Sequence, residues 1–202
     1  MSDEVPSPVV GERLADAFAY AVDLHARQAR KGTTIPYVTH LMAVCSLALE
    51  DGADEDAAIA ALLHDGPEDQ GGQVTLDEIR RRFGERVADL VEGLTDTLEV
   101  QKPAWRPRKE AYLERLRSEP EDVMRVSLAD KLHNARSMLV DLTASPDDLW
   151  GRFNAGRAEQ AWYFGELLAV FEQRLSKSPS RPESRNLPEF RRIVRELFGS
   201  AT

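Results

Sequence analysis

The sequence has one cysteine in 202 residues, Cys45, and this excludes a disulfide-stabilised scaffold. Cys45 lies in the apolar run "LMAVCSLAL" and has no second cysteine to pair with, so we expect a plain buried thiol. Free cysteine without disulfides is typical of proteins in the reducing cytoplasm. We therefore predict a cytoplasmic location.

Long apolar runs are also missing from this chain. A helix that crosses a bilayer needs about 20 predominantly apolar residues, and no stretch approaches that length. The start, "MSDEVPSPVVGERL", is acidic and contains proline, and it lacks the basic and apolar regions of a signal peptide. We therefore predict no membrane association and interpret residues 1–10 as a flexible N-terminus.

Positive charge is scarce as well. The chain has 26 Lys and Arg against 35 Asp and Glu, which gives a formal net charge of −9. A general nucleic-acid-binding protein needs a basic face to displace counterions, so we predict no nucleic-acid partner. A few local arginines and lysines can still bind a small phosphorylated ligand, because local charge outweighs the global sign. The composition does not fix the oligomeric state.

Helical periodicity dominates the sequence, and no segment shows sustained β alternation or a fixed repeat. We predict an all-α fold with one domain over residues 11–175, followed by a hinge and a C-terminal helix over residues 176–202. The hinge prediction rests on the polar, proline-containing stretch "SKSPSRPES". A first helix face is predicted from apolar recurrence at three- and four-residue steps, through Leu14, Phe18, Ala21, His25 and Ala29.

Helix ends are predicted from glycine, proline and capping residues. Gly32 ends the predicted first helix, and Pro36 can open the second. The apolar helix "DEDAAIAALLHD" stops at Gly66-Pro67. Thr75 with Glu78 predicts a capping box, and Ser145 is the predicted cap of a later helix.

Chemistry-bearing residues stand out at the end of that apolar helix. "ALLHDGPEDQGG" delivers His64-Asp65 and then, after Gly-Pro, Glu68-Asp69. A histidine in an apolar helix, His40, precedes this motif, and Asp130 follows it in "VSLADKLHNARS". Burial of an unpaired carboxylate is costly, so Asp130 needs a basic side chain or a metal ion as its partner.

Two imidazoles and two carboxylates suit a borderline divalent cation such as Mn²⁺, Fe²⁺ or Zn²⁺. Four protein ligands leave coordination positions for water and substrate, and a metal ion makes water a usable nucleophile near neutral pH. Glu68 and Asp69 are then placed to orient or deprotonate that water. A His-Asp pair alone is weak evidence, since it also occurs as a helix-terminal histidine beside a capping aspartate.

The joint pattern resembles the HD superfamily of metal-dependent phosphohydrolases. More narrowly, it is similar to the hydrolase domain of the RelA/SpoT family and to its small stand-alone alarmone hydrolases, including the animal type. The resemblance is carried by "HARQARKGTTIPYVTH", "AALLHDGPED", "FGERVADLVEGLTD" and "LADKLHNARS", which occur in the expected order. It implies a single HD-domain helical bundle.

The resemblance also implies roles for individual residues. The implied Mn²⁺ ligands are His40, His64, Asp65 and Asp130, although the same ligands accept other divalent metals. The implied catalytic acids that position water are Glu68 and Asp69. The implied substrate-binding residues are Arg30, Lys31, Asn134, Ser137 and Tyr163. The implied reaction removes the 3′-pyrophosphate from ppGpp or pppGpp, giving GDP or GTP and pyrophosphate.

Independent of the resemblance, phosphoryl transfer needs cations against the developing negative charge. Arg30, Lys31 and Lys131 are the first candidates for that function, and Arg106, Arg108 and Arg157 are further ones. Without the resemblance, Asn134 and Ser137 would more often satisfy buried polar groups, and Tyr163 would more often be a core residue.

Several positions depart from the family pattern. The family usually has proline after the first metal histidine, where this chain has Leu41, and Thr-Val where this chain has Gly66-Pro67. Proline stiffens the connector to the acidic pair and glycine loosens it. Two alternatives therefore stay open: an HD phosphohydrolase acting on another nucleotide or phosphate ester, and a nucleotide-binding sensor with low turnover.

Three further residues have less specific patterns. We interpret His25 as a hydrogen-bonded core histidine near the site and His133 as a packing residue or one that supports a ligand. Trp105, in the proline-broken "KPAWRPRKE", is equally compatible with a lid over a pocket and an exposed anchor.

Overall fold

A computed structural model gives the fold, and it describes residues 10–99, 103–144, 149–152, 155–176 and 181–199. Within these ranges the chain forms ten α-helices and one 3₁₀ turn, Trp150–Arg152, and no strand. The only β pairing in the same ranges is an isolated bridge between Ala29 and Pro36. The predicted all-α class is confirmed. The helices are α1 (Glu12–Leu24), α2 (Val38–Glu50), α3 (Glu55–Leu63), α4 (Gly66–Gln70), α5 (Gln73–Phe83), α6 (Glu85–Leu94), α7 (Trp105–Leu116), α8 (Glu121–Ala144), α9 (Arg157–Leu175) and α10 (Leu187–Phe198).

The short helix α3 is the centre of the bundle. Residues 57–63 are all buried, because this stretch is alanine, leucine and isoleucine on every face. A helix that is apolar all round is stable only when neighbours surround it, and α3 packs against α1, α2, α6 and α8. Asp54 caps it by accepting a hydrogen bond from the Ala57 amide at 3.0 Å. The end of α3, where His64 follows, therefore lies inside the protein.

The long helix α8 links the centre to the C-terminal part. Its first half is buried from Val123 to Asp130, and it packs against α2, α3, α6, α9 and α10. The terminal helix α10 lays one face, with Leu187, Phe190 and Ile193, against α8 and α9. Cys45 of α2 is buried, as predicted. No helix in the described ranges is both long and apolar enough to span a membrane.

The residues just before α10 are held by a buried carboxylate. Asp51 accepts hydrogen bonds from the Ser184 hydroxyl at 2.7 Å and from the Arg185 amide at 2.6 Å. It also pairs with the buried Arg125 guanidinium at 3.1 Å. Of the predicted hinge, residues 177–180 lie outside the described ranges, and the part around Ser184 is fixed to the bundle rather than loose.

This cluster predicts a stability effect. Replacing Asp51 with alanine is expected to lower the free energy of unfolding by about 3 kcal/mol, because the buried Arg125 charge loses its buried carboxylate partner and keeps only the more exposed Glu121. Urea denaturation of metal-free protein measures the change. The exposed Asp89, 3.8 Å from Arg80, is the control, and Asp89→Ala should cost about 0.5 kcal/mol or less. Equal losses in the two variants would contradict the prediction.

The first helix is shorter than predicted. It ends at Leu24, not at Gly32, and Phe18 is exposed although it was placed on the apolar face. The segment after Leu24 folds back on itself, since the Arg30 amide donates to the Ile35 carbonyl at 2.8 Å and the Tyr37 amide to the Gln28 carbonyl at 2.9 Å. A proline disfavours helical geometry in the residue before it, which here is Ile35 before Pro36.

Two further helix ends differ from the prediction. The apolar helix α3 ends at Leu63, two residues earlier than predicted, and Gly66-Pro67 opens α4, because proline fits the first turn of a helix, where no amide donor is needed. The capping box at Thr75 is wrong, since α5 is capped by Gly72 and the Thr75 hydroxyl donates instead to the Gln70 carbonyl at 3.1 Å. Gly72 has φ +61°, and a Cβ there would lie 2.9 Å from the Leu98 carbonyl oxygen. The predicted cap Ser145 lies outside the described residues.

Candidate active site

Four side chains from three separate segments meet at the end of α3. His40 comes from α2, His64 and Asp65 follow α3, and Asp130 comes from the buried half of α8. The His40 Nε2 atom lies 3.4 Å from Asp65 Oδ2 and 3.2 Å from Asp130 Oδ1. The His64 Nε2 atom lies 3.1 Å from Asp65 Oδ2 and 3.8 Å from Asp130 Oδ1. The structure therefore brings together all four residues predicted as metal ligands; we call them the HHDD cluster.

The hydrogen bonds of the two imidazoles point their Nε2 atoms into this cluster. His64 Nδ1 lies 2.8 Å from the Ala61 carbonyl, which only accepts, so the Nδ1 atom carries a proton. His64 Nε2 is buried and has no hydrogen-bond partner among the described residues. His40 Nδ1 lies 2.8 Å from His133 Nδ1, and a proton donated from His40 to His133 leaves His40 Nε2 with a lone pair. In each of the two histidines Nδ1 is engaged in a hydrogen bond and Nε2 keeps a lone pair, which is the state in which histidine binds a metal.

Each carboxylate is held by a neighbouring donor. The Tyr37 hydroxyl donates to Asp65 Oδ2 at 2.6 Å. Asp130 receives the Lys131 ammonium on Oδ2 and the Asn134 amide on Oδ1, each at 2.6 Å. These contacts fix the direction of the carboxylate oxygens, as second-layer donors do around protein metal ions.

Electrostatics within the HHDD cluster keep both carboxyls ionised. Burial raises the pKa of Asp65, but His64 and His40 hold it well below its usual range. Burial likewise raises the pKa of Asp130, and Lys131 with both histidines outweighs that effect. Burial lowers the pKa of His64 and the two carboxylates raise it. The second effect is larger, so the pKa of His64 lies well above its ordinary value. Two buried carboxylates thus demand positive charge, from a proton on His64 or from a cation.

The residues present fit a divalent metal. His40, His64 and Asp65 each offer a ligand atom within 4.8 Å of the others, and Asp130 Oδ1 adjoins them. Two nitrogens and two carboxylate oxygens form a donor set that borderline cations accept. The His64 Nε2 atom lies 3.1 Å from Asp65 Oδ2 but makes no hydrogen bond with any described residue, which is compatible with an imidazole nitrogen that binds a cation.

The predicted catalytic acids lie on α4, one turn beyond the cluster. The Gln28 amide donates to Asp69 Oδ2 at 2.8 Å, and the Arg108 guanidinium lies 3.5 Å from Glu68 Oε1. Gly66-Pro67 forms the first turn of this short helix, so the acids are carried on a regular element. Their catalytic role stays a prediction.

A cavity of about 880 Å³ adjoins the HHDD cluster, and its volume is in the range of small-molecule sites. Arg30 lies in its wall, and the Arg30 guanidinium donates to the side-chain oxygen Oδ1 of Asn134 at 2.7 Å. His133 and Asn134, which contact His40 and Asp130, belong to the same wall. All six residues predicted to bind substrate line this cavity, as does one of the acids: Arg30, Lys31, Lys131, Asn134, Ser137, Tyr163 and Asp69.

The less specific histidine and tryptophan interpretations can be compared with their surroundings. His25 is buried, lies 2.7 Å from Gln28 Oε1 through Nδ1, and stacks on Tyr37. His133 contacts His40 directly, and burial with His40 and Arg30 lowers the pKa of His133 to about 4. Trp105 packs edge-on against Tyr163 and lines the cavity, so it is neither isolated nor an exposed anchor.

Three cations of the cavity wall were missed in the sequence. Arg136 and Arg152 line the cavity while paired with Glu189 and Asp141. Lys109 of α7 also lines it. No local pattern distinguishes Lys109 from the neighbouring basic residues of "WRPRKE", because its position depends on how α7 packs against α9.

Comparison with known families decides the classification. A family model described as the HD domain matches residues 17–159, which is most of the chain. The chain belongs to the HD domain family. Phosphohydrolases of this family are metal-dependent, and in this HD domain the HHDD cluster, the acidic pair and most of the cavity wall lie inside the matched range.

Curated relatives extend the comparison. This HD domain is 36% identical over 133 residues to the guanosine-3′,5′-bis(diphosphate) 3′-pyrophosphohydrolase of Aquifex aeolicus, covering 66% of the chain and 19% of the relative. It is 35% identical over 133 residues to the bifunctional (p)ppGpp synthase/hydrolase SpoT of Escherichia coli K12, covering 63% and 18%. The chain thus spans less than a fifth of these relatives' length.

Two solved structures share the fold over nearly their whole length. A protein of Listeria monocytogenes EGD-e superposes with a TM-score of 0.69 at 30% identity, covering 79% of this chain and 98% of that one. A metazoan SpoT orthologue, described as hydrolysing ppGpp, superposes with a TM-score of 0.71 at 26% identity, covering 94% and 98%. The resemblance to the HD superfamily and to alarmone hydrolases is confirmed.

Proposed function

We propose that this HD domain is a metal-dependent phosphohydrolase that removes the 3′-diphosphate from ppGpp or pppGpp, giving GDP or GTP and pyrophosphate. The observation that carries the proposal is the HHDD cluster, in which the buried His64 Nε2 atom makes no hydrogen bond with a described residue, placed beside a cavity lined by arginine and lysine. The relatives named as ppGpp pyrophosphohydrolases and the metazoan structural neighbour support the choice of substrate.

We infer that His40, His64, Asp65 and Asp130 hold the metal, and that Mn²⁺ is the ion. A divalent cation in this position supplies positive charge against the reacting phosphoryl group and activates water for attack. The hydrogen bonds from Tyr37, Lys131 and Asn134 fix the orientation of the two carboxylates.

Glu68 and Asp69 take the proton from the attacking water in this proposal. The water oxygen forms a bond to the phosphorus attached to O3′, and the phosphorus–O3′ bond breaks. Its electron pair goes to O3′, which takes up a proton, and the released pyrophosphate carries the oxygen of the water. The carboxylates suit this step because Gln28 and Arg108 hold them beside the cluster.

The nucleoside and its 5′-phosphates occupy the rest of the cavity. Arg30 and Lys31 lie on the wall formed by the fold-back after α1, where they meet phosphate charge. Asn134, Ser137 and Tyr163 line the side available to the base and ribose. A cytoplasmic location and the absence of a nucleic-acid partner stay predictions from the sequence.

A substrate panel tests the proposal. Metal-stripped protein is reloaded with Mn²⁺ and incubated with ppGpp, pppGpp, NADPH and common nucleotides, and products are separated by chromatography. We expect stoichiometric GDP or GTP and pyrophosphate from the alarmones alone, and no turnover without metal. Turnover of another compound only would change the substrate. Tight ligand binding without turnover would make the protein a sensor.

A further inference from the structure

One buried carboxylate beside the cavity holds two cations. Asp96 lies two residues after Leu94, where α6 ends, and its side chain is 5% exposed. The Arg108 guanidinium and the Lys109 ammonium both donate to the Asp96 Oδ2 atom, the latter at 2.7 Å. Two cations therefore meet at one oxygen atom of Asp96. Arg108 also reaches Glu68, which links this group to the predicted catalytic acids.

Lys109 extends from this pair into the cavity. Its ammonium lies 5.0 Å from the centre of the Tyr163 ring and lines the same cavity as Lys131. Within the described residues Lys109 and Lys131 each donate one hydrogen bond, to Asp96 and to Asp130 respectively. An ammonium has three donors, so each lysine keeps donors for a ligand.

The two lysines repel each other. Burial lowers the pKa of Lys109, Asp96 raises it, and Lys131 lowers it again. The pKa of Lys109 therefore lies below its usual value. Both side chains are shielded from solvent, with 16% and 14% exposure. Each ammonium has one carboxylate partner, Asp96 for Lys109 and Asp130 for Lys131, and an anion bound between the two lysines in the cavity would offset the repulsion that remains.

We propose that Lys109 is a further substrate-binding residue and that, together with Lys131, it binds the diphosphate group removed in the reaction. This inference rests on the proposed function. Lys131 sets the location of the diphosphate group, because its partner Asp130 belongs to the HHDD cluster, beside which the reacting phosphorus must lie. Lys109 then contacts the outer phosphate of the same group. The electron pair of the broken phosphorus–O3′ bond goes to O3′, while the phosphate oxygens of the diphosphate group keep their negative charge in free pyrophosphate, and the two ammonium groups stabilise that charge.

Lys109→Gln tests the inference. Glutamine leaves the Asp96–Arg108 pair in place, so the fold should be retained, which thermal unfolding checks. We expect kcat for ppGpp to fall about 100-fold, as for loss of one preorganised donor at a developing charge. The constant for product inhibition by pyrophosphate, at fixed free Mn²⁺, should rise about tenfold or more, because a charge-assisted hydrogen bond is lost. Inhibition by GDP should not change.

The matched control is Arg117→Gln, which removes a cation at the end of the same helix. Arg117 is 45% exposed and pairs with Glu114 and Glu166 on the surface, so its loss should leave both constants unchanged. Lys109→Arg should restore most of the pyrophosphate affinity. Unchanged pyrophosphate inhibition in Lys109→Gln would overturn the inference.

Failure of the proposed function has a different signature. If the wild-type protein does not turn over ppGpp, binding of pyrophosphate to Mn²⁺-loaded protein is measured directly by calorimetry. Weaker binding in Lys109→Gln would then still support the two-lysine site. Equal binding in wild type and Lys109→Gln would reject it whatever the substrate.

Discussion

Substitution of Asp65 by alanine is expected to abolish tight Mn²⁺ binding and to lower kcat/KM for ppGpp by about 10⁴-fold, or about 5 kcal/mol, because metal catalysis supplies several kcal/mol. Among the four predicted ligands, Asp65 is the one whose removal should weaken metal binding most. Its Oδ2 atom is the nearest carboxylate oxygen to His64 Nε2, at 3.1 Å, and it also meets His40 Nε2 at 3.4 Å. The other carboxylate of the cluster, Asp130, already meets both imidazoles through Oδ1, at 3.2 Å from His40 Nε2 and 3.8 Å from His64 Nε2.

Calorimetric titration with MnCl₂ and thermal unfolding measure the effect. At a Mn²⁺ concentration of 100 times its Kd, wild-type protein should gain about 2.7 kcal/mol of stability, and the Asp65→Ala variant should gain none. The exposed Asp77→Ala variant changes the net charge equally and should bind and turn over as wild type. Wild-type Mn²⁺ affinity in Asp65→Ala would remove the HHDD cluster as the metal site.

The HHDD cluster could be predicted from the sequence because its signals are local. An all-apolar helix must be buried, so His64-Asp65 at its end must lie inside the protein and need partners. Asp130 has apolar neighbours on both sides and carries the same requirement. The resemblance then joined these segments to His40, and the structure places all four within one cluster.

The parts that failed depend on contacts between distant residues or on backbone geometry. The chain after α1 is shaped by backbone hydrogen bonds from the Arg30 amide to the Ile35 carbonyl and from the Tyr37 amide to the Gln28 carbonyl, which apolar periodicity does not reveal. Gly66-Pro67 was interpreted as a break because proline both stops and starts helices. Lys109 gives no sequence signal at all, since only the packing of α7 beside Asp96 and Tyr163 turns it into the cavity.

Glu68 is the second residue with a large expected effect. Glu68→Gln should retain Mn²⁺ binding and lower kcat about 10³-fold with little change in KM, because the amide cannot accept the proton of the attacking water. Glutamine keeps the size of the side chain and can still accept from Arg108, which now lies 3.5 Å from Glu68 Oε1. The packing of α4 is therefore preserved, and a loss of rate reports on chemistry.

The contrast between Glu68→Gln and Asp65→Ala separates proton transfer from metal binding. Both should be slow, but only Asp65→Ala should lose the thermal stabilisation by Mn²⁺, because Glu68 lies outside the HHDD cluster. Glu92→Gln, at a side chain that is 56% exposed, is the control for charge alone and should keep the wild-type rate. Full activity in Glu68→Gln would assign the proton to Asp69, which the Gln28 amide already holds at 2.8 Å on the cavity wall. Asp69→Asn should then show the loss instead, so the pair of variants identifies the base.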